Sequence, residues 1–405
     1  MTPPAKLTTK LTTKLKTVNT FFDPTSFPKL KPGVNYFKKS RGSKAFIFVG
    51  FNHRGVELDS EIALLVLQLL TGLQSLGNIY QAIAADINSK SEKEVREILE
   101  ALYQAGFLEF LSSKQPAYIE GKFAAVNLVN FQNRFRSEMN LYSWHPQVSI
   151  DRTAESLIVS RRNFSIIIFG RNRLALSLFS ILQASGFSQL KIIDRSISPS
   201  VAEAIQISPD EVCGLAIRGS DVGVRKTLVI ADLARNSQLF AGEEFSFPEI
   251  PDFIISTEAI PQETLQRWMS ELIPHLAISN LIENIVEVGP IVLPGKTPCL
   301  NCLALWRADK FPHFKEFEFL AALDSNQPKG LELPSAQVAL LAGIIAIQVI
   351  QFCTNQRNLT SPSKLLGASQ IINLFDPLDS IQSDSAGNRF RYWQPHISCG
   401  CQQLI

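Results

Sequence analysis

The sequence predicts an α/β protein of two folded parts: an N-terminal winged helix-turn-helix and a Rossmann-like, doubly wound domain after it. Three observations predict this. Short strand-like runs at 45–51 and 55–58 precede three helical patterns and a closing strand-like run at 107–111. From Asn163, an apolar run ends in Gly170 and opens a strand–helix–strand pattern. The 405 residues also exceed the roughly 100–200 of one ordinary domain.

In the first part, 61–70 reads as a strongly apolar helix stopped by Thr71-Gly72, and 76–85 as a second. The third, 90–104, opens on Ser91 with Glu94 three residues later, the spacing of a capping box. Val95, Ile98, Leu99 and Leu102 make its amphipathic stripe, and Gly106 stops it. A winged helix suggests DNA, but a groove-reading helix presents net positive charge to the phosphates. Here Lys90, Lys93 and Arg96 face Glu92, Glu94, Glu97 and Glu100. A peptide added along the 55–58 strand and the third helix suits this surface better, with Val56, Leu58, Val95 and Leu99 as candidate contacts.

The second part begins with the 163–170 strand, a helix at 174–184 and a strand at 190–194. Strands are expected at 252–256, 275–279 and 285–289. The run 334–352 is the most apolar of the chain; Gln337, Gln348 and Gln351 interrupt it, so a buried helix is expected rather than a membrane span. The reading divides the chain into a disordered tail (1–30), the winged unit (31–115), a connecting segment (116–160) and the α/β domain (161–405). Hydrophobic residues make up 45% and charged residues 19%, which suits a filled core, and the net charge of +2 demands neither nucleic acid nor a membrane. The first 22 residues hold four lysines and no acid; they read as a tail, with a transit peptide as the alternative. No secretory pattern precedes the fold, so a cytoplasmic location is expected.

A dinucleotide turn wants Gly-x-Gly-x-x-Gly/Ala, so that the backbone approaches phosphate at a helix N-terminus. The chain has Gly170-Arg-Asn172-Arg-Leu-Ala175, with Asp194 where a ribose-binding acid would sit. Asn172 replaces the middle glycine and obstructs that approach. The site reads as degenerate, with residual nucleotide binding through Arg171 and Arg173 left open.

Cys299 and Cys302 form a Cys-x-x-Cys pair, and Cys399 and Cys401 a Cys-x-Cys pair. Four thiolates close a tetrahedral zinc shell with no open catalytic position, so a structural zinc is expected. A redox pair or free thiols are the alternatives, and His396 is a candidate to replace one sulfur. Cys213 and Cys353 read as core residues, and no Ser/His/Asp or paired-carboxylate arrangement stands out.

Val288-Gly-Pro-Ile-Val-Leu-Pro-Gly-Lys-Thr-Pro-Cys-Leu-Asn-Cys302, then Trp306-Arg-Ala-Asp309, is similar to the ubiquitin-activating-enzyme-like (ThiF-type) adenylating fold. The segments Asp221-Val-Gly-Val-Arg-Lys226 and Gln394-Pro-His-Ile-Ser-Cys-Gly-Cys401 resemble the same group. The likeness is greatest to the cyclodehydratase C component, the partner of YcaO-type enzymes in azole-type peptide (bacteriocin) biosynthesis. The winged unit resembles the RiPP recognition element that binds precursor leader peptides. This resemblance implies a leader peptide and a YcaO-type enzyme as partners, and a homodimer. The chain departs from active adenylating members. It has no Asn-x-x-Arg stretch within 197–208, and it carries Ser256-Thr-Glu258 where an aspartate for Mg-ATP is placed; Arg267 matches a family arginine. The expectation is a non-catalytic scaffold without ATP. The alternatives are an adenylating enzyme with an unorthodox phosphate loop, and a winged-helix DNA-binding regulator.

Overall fold

The computed structural model describes residues 22–41, 44–51, 54–86, 91–111, 131, 133–144, 154–193, 204–236, 247–282, 285–314, 316, 333–355, 363–375 and 390–403. The chain divides into two units, Met1–Leu157 and Ile158–Ile405.

The first unit opens with β1 (Phe27–Leu30), followed by an antiparallel sheet of β2 (Asn35–Arg41), β3 (Lys44–Phe51) and β4 (Arg54–Leu58), in the order β2-β3-β4. Helices α1 (Ala63–Leu69), α2 (Leu76–Asp86) and α3 (Ser91–Gln104) follow, and β5 (Leu108–Leu111) returns to pair antiparallel with β1. The expected succession of two strands, three helices and a closing strand is present. The stripe Val95, Ile98, Leu99 and Leu102 is buried against Ile47, Val49, Leu58, Val66 and Ile79. Each such aliphatic side chain contributes roughly 1.5–3 kcal/mol by leaving water. Gly106, at φ +75°, ends α3 with Phe107 N–H donating to Leu102 O (2.9 Å) and Gly106 N–H to Tyr103 O (2.9 Å), a Schellman pattern that needs the left-handed residue.

Residues 22–30, read from sequence as tail, are part of the folded unit. Phe22 is buried with its ring 5.8 Å from Phe110, and β1 completes the β5 ladder. Pro28 and the lysines of 29–39 had disguised β1 and β2. Residues 1–21 and 112–130 lie outside the described residues. Within the former connecting segment stand α4 (Arg136–Tyr142) and the start of α5 (Ala154–Arg162).

The second unit is built on a seven-stranded sheet. Its strands are β6 (Ile166–Phe169), β7 (Leu190–Ile193), β8 (Phe253–Ser256), β9 (His275–Ile282), β10 (Ile285–Val292), β11 (Ala368–Asn373) and β12 (Phe390–Tyr392), in the order β12-β11-β10-β9-β8-β6-β7. β7, β6, β8 and β9 are parallel neighbours, which is the Rossmann-like half. From β9 through β12 each pairing is antiparallel. The sheet is thus mixed. The strand expected at 285–289 returns directly from β9, where a parallel strand would need a crossover of a dozen residues or more.

Helices α6 (Arg173–Ala184), α7 (Lys226–Asn236), α8 (Gln262–Ser270), α9 (Leu300–Lys310) and α10 (Ser335–Asn355) belong to this unit, with short 3-10 turns at Pro209–Glu211, Gly219–Asp221 and Gly400–Gln403. α10 is the apolar run expected to be buried. It is long and apolar enough to cross a membrane by composition, but it packs on α6, with Val338, Leu341, Ala342, Ile345 and Val349 in the same core as Ile166, Leu178 and Phe253.

His275 is fully buried on β9, its ring 5.6 Å from Trp268. Nδ1 lies 2.9 Å from Ile273 O, which only accepts, so the neutral ring carries its proton there and Nε2 is left without a donor. Burial pushes its pKa down to about 4. The unfolded chain takes this proton near the usual 6.5 or so, so the contribution to stability is complete above that pH and is lost as pH falls toward 4. The loss is about 3 kcal/mol at roughly 1.4 kcal/mol per unit. Urea unfolding at pH 7 and pH 4 checks this: His275→Leu is expected to lose less stability across that window than the wild type, by about that amount.

Candidate functional site

Two constellations lie in the second unit. At the first, a turn closed by Leu293 N–H donating to Thr297 Oγ1 (2.8 Å) leads to Cys299, the N-cap of α9, and places Cys302 in its first turn. The C-terminal pair is brought up by a turn in which Cys399 N–H donates to His396 O (2.9 Å). Cys299 Sγ lies 3.9 Å from Cys302 Sγ and 3.6 Å from Cys399 Sγ, and Cys302 Sγ lies 3.4 Å from Cys401 Sγ. All four sulfurs fall within 4.8 Å of one another. Tetrahedral M–S bonds of about 2.3 Å require sulfurs about 3.8 Å apart, so the set fits a metal ion.

The surroundings agree. The cysteines sit in an apolar cluster with Met269, Val292 and Leu303. Burial pushes the Cys299 thiol up, and burial, then Cys302, pushes Cys401 up to about 11. Burial also raises Cys399, but the Asn301 amide and the Cys401 N–H outweigh it and bring that thiol to about 7. A cation would supply the charge that this pocket lacks. Asn301 Nδ2 donates to Cys399 Sγ (3.4 Å) and His396 N–H to Cys302 Sγ (3.3 Å), contacts that support thiolates. His396 is not the fourth ligand in this arrangement. Nδ1 accepts from Ser398 N–H (3.1 Å), and Nε2 lies 2.9 Å from Asp309 Oδ2. The ring fixes the turn that carries the sulfurs.

The second constellation is the turn after β6. Gly170 stands at φ +121°, where a Cβ would come within 2.4 Å of Thr257 Oγ1 and 3.0 Å of Glu258. Only glycine fits. Asn172 is the N-cap of α6: its Oδ1 accepts from Ala175 N–H (2.9 Å), and its Nδ2 donates to Thr257 O (3.0 Å). Arg171 N–H donates to Glu258 Oε1 (3.1 Å). Two amides that a phosphate would use are therefore taken by the chain's own oxygens, one of them a carboxylate. Lys226, buried at the start of α7, donates to Arg171 O (3.1 Å) and pairs with Glu211. Arg173 is committed elsewhere, to Val212 O (2.7 Å), Leu333 O (2.8 Å) and Ser335 Oγ (2.8 Å). Arg267 is exposed on α8, and Asp194 lies outside the described residues.

The structure thus brings together Gly170, Asn172 and Ala175, and adds Glu258, Thr257, Lys226 and Glu211, which spacing had not singled out. Lys226 closes the quoted Asp221–Lys226 segment, and Thr257 and Glu258 belong to the quoted Ser256–Glu258 stretch, so these three stood within segments that the resemblance had marked. For the peptide contacts the structure corrects the reading. Leu58, Val95 and Leu99 are 5%, 0% and 0% exposed, inside the core; Val56 is half-buried. The stripe of α3 was the core stripe, and a peptide can touch only its flank.

No family model matches the sequence, and no curated protein matches it. Solved structures do. The microcin C7 biosynthetic enzyme MccB in complex with N-formylated MccA superposes with a TM-score of 0.53 at 16% identity, over 93% of this chain and 99% of that one. The chain has the MccB fold. E. coli MccB with ATP gives a TM-score of 0.50 at 16% identity over the same shares. PaaA gives 0.51 at 16% identity, covering 73% of this chain and 93% of its own. At these identities the MccB likeness is one of fold.

Proposed function

We propose that the protein is a non-catalytic scaffold that binds the leader of a ribosomal precursor peptide and presents the peptide to a YcaO-type cyclodehydratase for Cys, Ser or Thr heterocyclisation. The observation that carries the non-catalytic part is the Glu258 carboxylate on the amide of Arg171. Adenylation needs that turn to receive phosphate and to stabilise its charge; here an anion already occupies it.

The peptide part rests on β4. It pairs with β3 alone, so its outer edge has no strand partner among the described residues. α3 runs beside it: Ser60 Oγ donates to Glu94 Oε1 (2.6 Å) and Arg54 Nη2 to Ala105 O (3.1 Å). Glu94 stands toward β4 through the first of these bonds, and Ala101, seven residues on, shares its face of the helix. A peptide adding as a strand would use the backbone groups of β4 and lie against Val56 and Ala101. That MccB has been solved with MccA agrees with a peptide partner for this fold. The four cysteines hold a structural zinc in this account, and the protein acts in the cytoplasm.

Calorimetry with the precursor peptide encoded beside this gene tests the reading. Binding at micromolar Kd is expected, weakened at least ten-fold by Ala101→Arg, which projects a bulky cation into the groove. An absence of binding at tens of micromolar would sink it. The second reading is an adenylating enzyme. It is favoured by the likeness to MccB solved with ATP and by the buried Lys226 at the turn; ATP–pyrophosphate exchange separates the two.

A further inference from the structure

The sheet that ends in β4 has a second face. Ile47, Val49 and Leu58 are buried in the core, so Phe48, Gly50, Gly55 and Glu57, which alternate with them, belong to the opposite face. That face is aromatic in part: Phe37 is 54% exposed, and its ring lies 5.4 Å from that of Phe48. Gly50 and Gly55 stand across from each other, and the Phe48 ring covers both. A Cβ on Gly50 would come 2.8 Å from Phe48 Cε1, and one on Gly55 would come 2.6 Å from Cε1 and 2.8 Å from Cε2. The bare backbone at Gly55 therefore lets a ring from β3 reach over the strand that borders the free edge.

The register decides which backbone groups face a peptide. Phe51 and Arg54 are the last pair of the β3–β4 ladder, and the two residues between them are chain neighbours that cannot bond across it. Phe51 and Arg54 must therefore bond each other. Bonded and non-bonded pairs alternate along an antiparallel ladder. Val49 and Val56 are then bonded as well, while Gly55 and Glu57 turn their N–H and C=O groups to the outer edge. A strand added there bonds to Gly55 and Glu57, and its residues opposite them put their side chains on the aromatic face. The residue between those two points the other way, toward Val56 and Ala101. Antiparallel addition continues the pattern of this sheet and is slightly the more stable per residue.

We infer that this edge selects peptides by a basic–apolar–aromatic triplet, read by Glu57, by Val56 with Ala101, and by Gly55 with Phe48. The inference rests on the reading of the β4 edge as the peptide site and names what that site prefers. Running antiparallel, the peptide meets exposed Glu57 first, and a lysine or arginine there pairs with the carboxylate. The second residue turns inward to half-buried Val56. The third lies opposite Gly55, with Cα atoms about 5.5 Å apart. Its ring meets that of Phe48 within the roughly 4.5–7 Å between centroids that aromatic pairs favour. The cation and the aromatic share one face and the apolar residue takes the other, as the period of two requires. Turning attraction into repulsion at the Glu57 pair changes affinity about ten-fold.

The probe is a phage-displayed library of random short peptides, selected on the full-length protein and on two variants. The wild type is expected to enrich the triplet in the order basic, apolar, aromatic. Glu57→Lys is expected to enrich an acid in the first place and to keep the other two. Phe48→Leu is expected to lose the aromatic preference and keep the basic one. A synthetic fluorescein-labelled peptide carrying the wild-type triplet, titrated by anisotropy at low salt, should bind Glu57→Lys about ten-fold more weakly. Enrichment without a charge preference overturns the inference, as does a preference that Glu57→Lys leaves unchanged or an aromatic preference that survives Phe48→Leu. If the precursor's leader binds and is weakened by Ala101→Arg while the selections show no such triplet, the inference falls and the peptide-site reading stands. If neither the leader nor any library peptide binds, both fall.

Discussion

Replacing Cys302 by alanine will leave the protein without zinc and lower its melting temperature by roughly 8–16 °C. Cys302 is fully buried and its sulfur touches those of Cys299 and Cys401, so the remaining three thiols cannot close the shell. A metal held at a thousand times its Kd contributes about 4 kcal/mol to stability, and about 2–4 °C accompanies each kcal/mol in a domain of this size. The ion would tie α9 to the C-terminal turn, so its loss should free the chain around residues 396–403 to exchange amide protons. Zinc by atomic absorption and calorimetric melting measure the two effects. Cys353→Ala, buried away from the cluster, is expected to keep one zinc per chain. A Cys302→Ala protein that melts like the wild type would remove the staple from the account.

The wild-type chain will not bind ATP at millimolar concentration, and Asn172→Gly combined with Glu258→Ala will create measurable affinity. Each substitution frees one amide of the turn, Ala175 N–H and Arg171 N–H respectively. Two like charges about 4 Å apart cost about 4 kcal/mol at an effective dielectric of about 20. Removing the Glu258 carboxylate from beside an incoming phosphate is therefore worth up to about a thousand-fold in affinity. Lys226 would then face the phosphate with less competition. Glu258→Gln separates charge from shape, because it keeps the volume and loses most of the repulsion. Equilibrium dialysis with labelled ATP and magnesium reads all three proteins. Tight binding by the wild type that is lost on Glu258→Gln would make Glu258 a metal-binding acid and reverse its role.

How much of this was legible depended on how far apart the interacting residues lie in the chain. The cysteine pairs were legible because ligand spacing within each pair is local, and the structure only had to bring the two together. The missing glycine at Asn172 was legible for the same reason. Its consequence was not. The cap on Ala175 is local, but the contacts to Thr257 and Glu258 join segments 85 and 87 residues apart. Nothing in the Gly170–Ala175 window announces a carboxylate from the end of β8.

The stripe of α3 shows a different limit. Periodicity finds an apolar face but does not say what covers it. Val95 and Leu99 were available for a peptide until the structure spent them on Leu58 and Val49. The mixed sheet was hidden because β9 and β10 show no clean polar–apolar alternation, which parallel and buried antiparallel strands both lack. β1 and β2 were hidden because edge strands carry the proline and lysines that discourage further pairing.

ATP–pyrophosphate exchange by the purified protein, with the precursor peptide and magnesium present, tests the central claim most directly. A scaffold whose phosphate turn is filled by its own Glu258 should show no exchange above the protein-free background while still binding the peptide. Peptide-dependent exchange abolished by Lys226→Ala would show that the fold has kept its adenylating chemistry, and would contradict the account.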